Sequence, residues 1–121
     1  MKTAQLHSFS EVLLVGAGVM SREYFKVLQA LEAKHTVVCR SKNSAEQFFN
    51  TTGYPVLSGG LKKYFQNNKK NVKTAIIAVS VENLASVSME LLQRGFKKIL
   101  IEKPAGIYFD EIVEIAKLAE N

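Results

Sequence analysis

The chain has one cysteine, no tryptophan, two prolines and no long apolar run. A single thiol, Cys39, excludes a disulfide-stapled scaffold. No stretch approaches the ~18 apolar residues of a membrane span. The opening segment MKTAQLHSFSE lacks the apolar core of a secretory signal, so a cytoplasmic location is expected. There is no internal repeat and no low-complexity tract. Disorder is excluded by what is abundant: 47% of the residues are apolar, including seven Phe and four Tyr. In a chain of 121 residues that composition specifies one domain, residues 1–121, with an ordinary buried core.

Acid is missing in two places. Residues 61–73 (LKKYFQNNKKNVK) carry five lysines and no carboxylate, within a net charge of +5. Basic residues with Tyr64 and Phe65 among them could suit nucleic acid, which would engage Lys62, Lys63, Lys69, Lys70 and Lys73. No nucleic-acid motif accompanies them, so a solvated helix and loop is the expected reading, without a nucleic-acid or membrane partner. The second gap runs from Glu32 to Glu46.

Short apolar runs alternate with segments of helical period. The runs are EVLLVG (11–16), HTVVC (35–39), YPVLS (54–58), TAIIAVS (74–80) and KKILIE (97–102). Between them, Met20, Tyr24, Val27, Leu28 and Leu31 predict one helical face. Ala45, Phe48 and Phe49 predict a second helix, opened by a Ser44–Gln47 capping box. Leu61, Tyr64 and Phe65 give a third. Leu84, Val87, Leu91 and Leu92 give a fourth, from near Ser80 to a stop at Gly95. Ile112, Val113, Ile115, Ala116 and Ala119 give a last one, with Asp110 as its cap. His35 is expected in a turn, and Cys39 as a small buried residue at a strand end. His7 and His35 have no acid or thiol cluster around them, so no metal site is expected.

Strands that read as continuous apolar runs are buried on both faces, as parallel strands are. The fold class is therefore α/β: a doubly wound, Rossmann-like parallel sheet of about five strands with helices on both faces. Such sheets bind ligands beyond the C-terminal strand ends, and that edge gathers Gly16, Arg40, Ser80 and Glu102.

Three segments at that edge carry chemistry. Gly16-Ala17-Gly18-Val19-Met20-Ser21 joins the first strand to the first helix. Gly16 permits a tight turn, Gly18 clears room for a pyrophosphate, and the helix start offers free amides to it. The third small position is Ser21 rather than Gly or Ala. Where an NAD enzyme places an acid for the ribose hydroxyls, this chain has Cys39-Arg40-Ser41-Lys42. Arg40 and Ser41 suit a 2′-phosphate, so NADP is preferred and NAD stays open. Lys103, in Ile101-Glu102-Lys103-Pro104, falls where a lysine reaches the reacting end of a dinucleotide and moves a substrate proton.

Gly16-x-Gly18, Ala78-Val79-Ser80 and above all Glu102-Lys103-Pro104 resemble the Gfo/Idh/MocA family, the relatives of glucose–fructose oxidoreductase and inositol dehydrogenase. The resemblance covers residues 11–118, and GFKKILIEKPAG (95–106) is similar to members from surface-polysaccharide and nucleotide-sugar pathways. It implies hydride transfer between a nicotinamide cofactor and a hydroxyl carbon of a sugar or cyclitol. Lys103 would act on the reacting hydroxyl, Glu102 would hold it and Pro104 would set its geometry. Ser80 and Val81 would lie along the ribose and nicotinamide. The cofactor-binding set is then Gly16, Ala17, Gly18, Val19, Met20, Arg40, Ser41, Ser80, Val81, Glu102 and Lys103. Two departures stand out: Val79-Ser80 replaces the family's Thr-Pro, and Leu84 replaces a His. The resemblance further implies a fragment of a two-domain enzyme. It would bind cofactor without turnover and carry a bare apolar patch. The parent would be a homo-oligomer, the fragment a monomer. A stand-alone module binding a dinucleotide or coenzyme A remains the alternative.

Overall fold

The structure, a computed structural model, describes residues 11–67 and 71–120; His7, Lys69 and Lys70 lie outside them. The described residues form four strands and five helices, in alternation except that two helices follow β2. They are β1 (Val12–Val15), α1 (Val19–Ala30), β2 (His35–Val38), α2 (Lys42–Thr52), α3 (Gly60–Asn67), β3 (Thr74–Ile77), α4 (Val81–Gln93), β4 (Lys98–Ile101) and α5 (Phe109–Glu120). The sheet runs β2-β1-β3-β4, every pairing parallel, with Val12 opposite both His35 and Thr74.

Both faces of β1 are buried, as its unbroken apolar run requires. Leu13 and Val15 point into one core layer with Ile77, Leu84 and Leu91, roofed by α3 and α4. Val12 and Leu14 point into the other with Phe25, Leu28 and Phe48, roofed by α1 and α2. The helix α5 packs on α4, and of its apolar residues only Ile115 is buried. That leaves Leu100 on β4 half exposed at 50%, and Phe109 exposed at 77%.

The sheet has four strands, not about five. Within residues 54–58 only Leu57 pairs: its N–H donates to the Val37 carbonyl and its carbonyl accepts from Cys39 N–H, both at 2.9 Å. Pro55 has no N–H to extend this bridge backwards. Gly59 and Gly60, at φ +102° and +81°, turn the chain away immediately after it.

The inward stripe of α1 is Ser21, Phe25 and Leu28; of the face read from apolar spacing, Leu28 is buried and Tyr24 half-buried against the core, but Met20, Val27 and Leu31 are exposed. The cause is Ser21, fully buried, whose Oγ donates to the Gly16 carbonyl at 2.6 Å and fixes the rotation of the helix. The second helix starts earlier than its expected capping box, because Ser41 caps it by accepting from Ser44 N–H at 3.0 Å. Glu111, not Asp110, caps α5: its Oε1 accepts from the N–H groups of Ile107 and Tyr108. His35 opens β2 rather than a turn. It is buried and stacked on Tyr54 at 4.9 Å between ring centroids. Its Nδ1 lies 2.7 Å from the Ala33 carbonyl, so the donor there is the Nδ1–H tautomer.

Candidate functional site

The sheet order places β1 centrally. The chain leaves β1 for β2 on one side and later returns to β3 on the other, which makes β1/β3 the topological switch point where doubly wound sheets hold ligands. A cavity of about 790 Å³ opens there, bounded by the segments that follow β1, β2 and β3.

The two glycines of the first turn have different reasons to be glycine. Gly16 has φ +117°, and a Cβ on it would lie 2.2 Å from the Ala78 carbonyl oxygen. Its N–H donates to Val38 and Ala78 N–H donates to Val15, both at 2.8 Å, so the turn is clamped between β2 and β3. Gly18 has an ordinary φ of −90°, and a Cβ there would meet nothing within 4 Å. Its side-chain space is empty of protein, and Gly18 itself lines the cavity. Gly18 is the N-cap of α1, whose first turn has no acid and whose first amides have no intrahelical partner.

The end of β2 is built differently. Cys39 is buried, its Sγ donating to the Ser41 carbonyl at 3.2 Å, and burial pushes its thiol pKa above the ordinary value. The carbonyls of Cys39 and Arg40 accept from the N–H groups of Gly60 and Gly59 at 2.9 and 3.1 Å. This docks the Gly-Gly turn on the strand end and brings Lys62 into the wall of the same cavity as Arg40 and Ser41. After β3, Ser80 opens α4, and its Oγ accepts from Asn83 Nδ2 at 2.8 Å.

Gly16, Ala17, Gly18, Val19, Met20, Arg40, Ser41 and Ser80 all line this cavity. Val81, Glu102 and Lys103 stand outside its wall. Glu102 follows β4 and is held from two sides. Its N–H donates to the Ile77 carbonyl at 2.9 Å, and its carboxylate accepts from the Tyr24 hydroxyl at 2.5 Å. That bond, with some burial behind it, raises the Tyr24 pKa. Lys103 is exposed in a tight turn, with a cis bond to Pro104 and Ala105 N–H donating to the Glu102 carbonyl at 3.1 Å.

Sequence reasoning missed Tyr24 as a partner of Glu102, and Lys62 as a wall residue. The signal for Lys62 was the adjacent Gly59-Gly60 pair, which marks a sharp turn before a helix. The acid-free lysines do not form one stripe: Lys62 is at the C-terminal strand edge, whereas Lys73 precedes β3 at the opposite edge, where its backbone carbonyl accepts from the N–H groups of Lys97 and Lys98. No described helix is long and apolar enough to cross a membrane.

Comparison with known proteins gives the same picture. Residues 10–121 match the Gfo/Idh/MocA family model, described as an oxidoreductase family with an NAD-binding Rossmann fold. A Gfo/Idh/MocA oxidoreductase from Vibrio cholerae superposes with a TM-score of 0.74 at 16% identity, over 93% of this chain and 35% of that one. WlbA dehydrogenase from Bordetella pertussis, solved with NADH and UDP-GlcNAcA, gives 0.75 at 15% identity, over 92% and 34%. Biliverdin reductase from Synechocystis, solved with biliverdin and NADP+, gives 0.70 at 19% identity, over 92% and 34%. No curated protein matches. The chain spans about a third of the length of these structures. A Rossmann sheet with its glycine turn at the switch point, matched along nearly its whole length by one family, assigns the chain to the Gfo/Idh/MocA oxidoreductases as their NAD-binding domain.

Proposed function

We propose that this chain is the dinucleotide-binding part of an NADP(H)-preferring oxidoreductase. The parent enzyme moves hydride to or from a hydroxyl-bearing carbon of a sugar, cyclitol or nucleotide sugar. The observation that carries the reading is the contrast between the two glycines. Gly16 is required by the protein's own packing, whereas the space beside Gly18 is left open at the mouth of α1. A pyrophosphate approaching the backbone needs that room, and the α1 amides supply its donors. Binding by Gly16, Ala17, Gly18, Val19 and Met20 follows, with Ser80 and Val81 along the ribose and nicotinamide.

The preference for NADP rests on Arg40 and Ser41. A carboxylate at this strand end would repel a 2′-phosphate; Arg40 attracts one, and Ser41 offers a hydroxyl. The nicotinamide, when bound, supplies the hydride donor or acceptor. Lys103 holds the substrate hydroxyl and takes or returns its proton, and Glu102 holds the Lys103 turn in place. A sugar-type substrate is favoured by the likeness to a dehydrogenase solved with UDP-GlcNAcA. In this reading the chain alone binds cofactor as a monomer without turnover, and the parent is a cytoplasmic homo-oligomer.

Calorimetric titration of the chain with NADP+, NAD+ and coenzyme A at one salt concentration tests this. Tighter binding of NADP+ that Arg40→Ala abolishes is the expected result. Tighter NAD+ binding would keep the dinucleotide site and refute the role of Arg40. Coenzyme A alone binding would replace the enzyme reading with a regulatory module.

A further inference from the structure

The geometry points to Lys62 as a specificity-determining residue that, with Arg40 and Ser41, encloses the 2′-phosphate of NADP(H). The inference rests on the dinucleotide reading above and deepens it. Lys62 comes from a different part of the chain than the β2–α2 segment that carries Arg40 and Ser41. What brings it there is the Gly59-Gly60 turn, hydrogen-bonded to the carbonyls of Arg40 and Cys39. Both glycines have positive φ, which other residues rarely adopt. A Cβ on Gly60 would lie 3.5 Å from Arg40 Cγ, so the start of α3 packs directly along the arginine stem. Leu61 and Tyr64 are buried beneath α3, and Lys62 takes the adjoining position on the cavity wall.

The charges around this corner are unbalanced. Among the described residues neither Arg40 nor Lys62 has an ion-pair partner. The carboxylate on the wall is Glu90, which belongs to α4 and is already bonded to Arg94 Nε at 3.2 Å. No acid lies in the first turn of α2 or α3. A phosphate monoester carries about −1.5 to −2 charges at pH 7, more than one arginine neutralises. A second cation on the wall of the same cavity completes the balance. Arg40 supplies a planar fork and Lys62 a point charge, so the two are complementary and not redundant. NAD+ has only a hydroxyl at this position and gains nothing from Lys62.

The test is calorimetric titration of the chain with NADP+ and with NAD+, for the wild type, Lys62→Gln, Lys62→Arg and Lys63→Gln. Lys63 is the control: it is exposed and off the cavity wall, its stem lying over Gly59. Lys62→Gln is expected to weaken NADP+ about tenfold, the loss of one charge-assisted contact, with NAD+ changed less than about twofold. Lys62→Arg retains the preference, Lys63→Gln binds as wild type, and thermal melts of all variants coincide. A Lys62→Gln protein that still binds NADP+ as the wild type does, with the wild-type preference for NADP+ intact, overturns the inference and leaves the dinucleotide reading standing. Equal weakening of both cofactors overturns it too, since Lys62 would then act elsewhere than at the 2′-position. A wild type that favours NAD+ or binds neither refutes the NADP reading itself and the inference with it.

Discussion

Alanine at Gly16 and alanine at Gly18 are the same chemical change two residues apart, and they separate folding from binding. At Gly16 the new Cβ would sit 2.2 Å from a backbone carbonyl oxygen of Ala78, and the φ of +117° lies outside the regions open to alanine. The oxygen belongs to the segment whose N–H bonds Val15, so relief requires the ends of β1 and β3 to part. The backbone conformation costs about 1–3 kcal/mol and the overpacking a further ~1–3 kcal/mol. A loss of about 2–6 kcal/mol is large against the ~5–15 kcal/mol that holds a typical domain folded. At roughly 4 °C per kcal/mol for a chain of this size, the midpoint falls by about 8–24 °C. At Gly18 the backbone is already in a conformation alanine accepts, and nothing stands within 4 Å. Alanine is a poorer N-cap than glycine by up to ~1 kcal/mol, and the stiffer unfolded chain returns ~0.4–1 kcal/mol. The net is close to zero and the melt moves by only about 2 °C. On the proposed function the methyl would occupy the room a pyrophosphate needs, so NADP+ binding is expected to weaken at least tenfold, about 1.4 kcal/mol. Circular-dichroism melts and calorimetric titrations on the two variants read both quantities. If Gly18→Ala melts as low as Gly16→Ala, the space beside Gly18 is not free. If it binds NADP+ like the wild type, no ligand approaches that backbone.

Three further outcomes follow from the same geometry. Ser21→Ala removes the buried donor to the Gly16 carbonyl and should cost about 1–2 kcal/mol in a urea titration; an unchanged midpoint would mean that this bond does not anchor α1. Cys39 should react with an aromatic disulfide reagent at pH 8 far more slowly than free cysteine, and at the free rate in denaturant, because burial raises its pKa and blocks access. Tyr24 is held protonated by Glu102, and burial adds to this, so its folded pKa exceeds the ordinary value near 10. Its stabilising contribution is therefore complete below pH ~10 and fades as pH rises through the folded value. Tyr24→Phe should remove that alkaline loss from the stability–pH curve, and the same slope in both proteins would count against the bond.

The elements were legible in the sequence where residue type and position within a short window decide the outcome. The apolar runs of β1, β2, β3 and β4 needed no tertiary information: β1 is buried on both faces and apolar throughout, and even the edge strand β4, half exposed, keeps an apolar run in Ile99, Leu100 and Ile101. The 54–58 segment has the same look, yet only Leu57 pairs, because strand formation there depends on hydrogen-bond donors and on the turn that follows. Pro55 removes a donor and Gly59-Gly60 ends the run. The helical faces were harder still. Apolar spacing in α1 gives Met20, Tyr24, Val27, Leu28 and Leu31; Leu28 and Tyr24 do face the core, but the helix is turned so that Ser21 and Phe25 take the places of Met20, Val27 and Leu31. A hydrophobicity pattern cannot value Ser21, since its worth is one hydrogen bond to a carbonyl five residues away. Of the apolar residues thereby displaced outward, Met20 lines the cavity, beside Val19 at the start of the helix.

The same distinction governs the site. Gly16, Gly18, Arg40, Ser41 and Ser80 were legible because each sits at a fixed offset from a strand end, and parallel strands bring their C-terminal ends to one edge. Lys62 was not, because its offset from any strand end is meaningless. It arrives through a turn whose position depends on two hydrogen bonds to the β2 end and on Leu61 and Tyr64 being buried under α3. Within the sequence it belongs to a run of lysines with no acid, which suggests a solvated face. Folding sends Lys62 to the ligand edge of the sheet and Lys73 to the other. Tyr24 and Glu102 make the same point across 78 residues: each is unremarkable alone, and only the docking of α1 beside the end of β4 joins them. Charge composition therefore located no function in this chain. What decides is which strand end each charge is delivered to, and for Lys62 the delivery to the cavity rests on the Gly59-Gly60 turn.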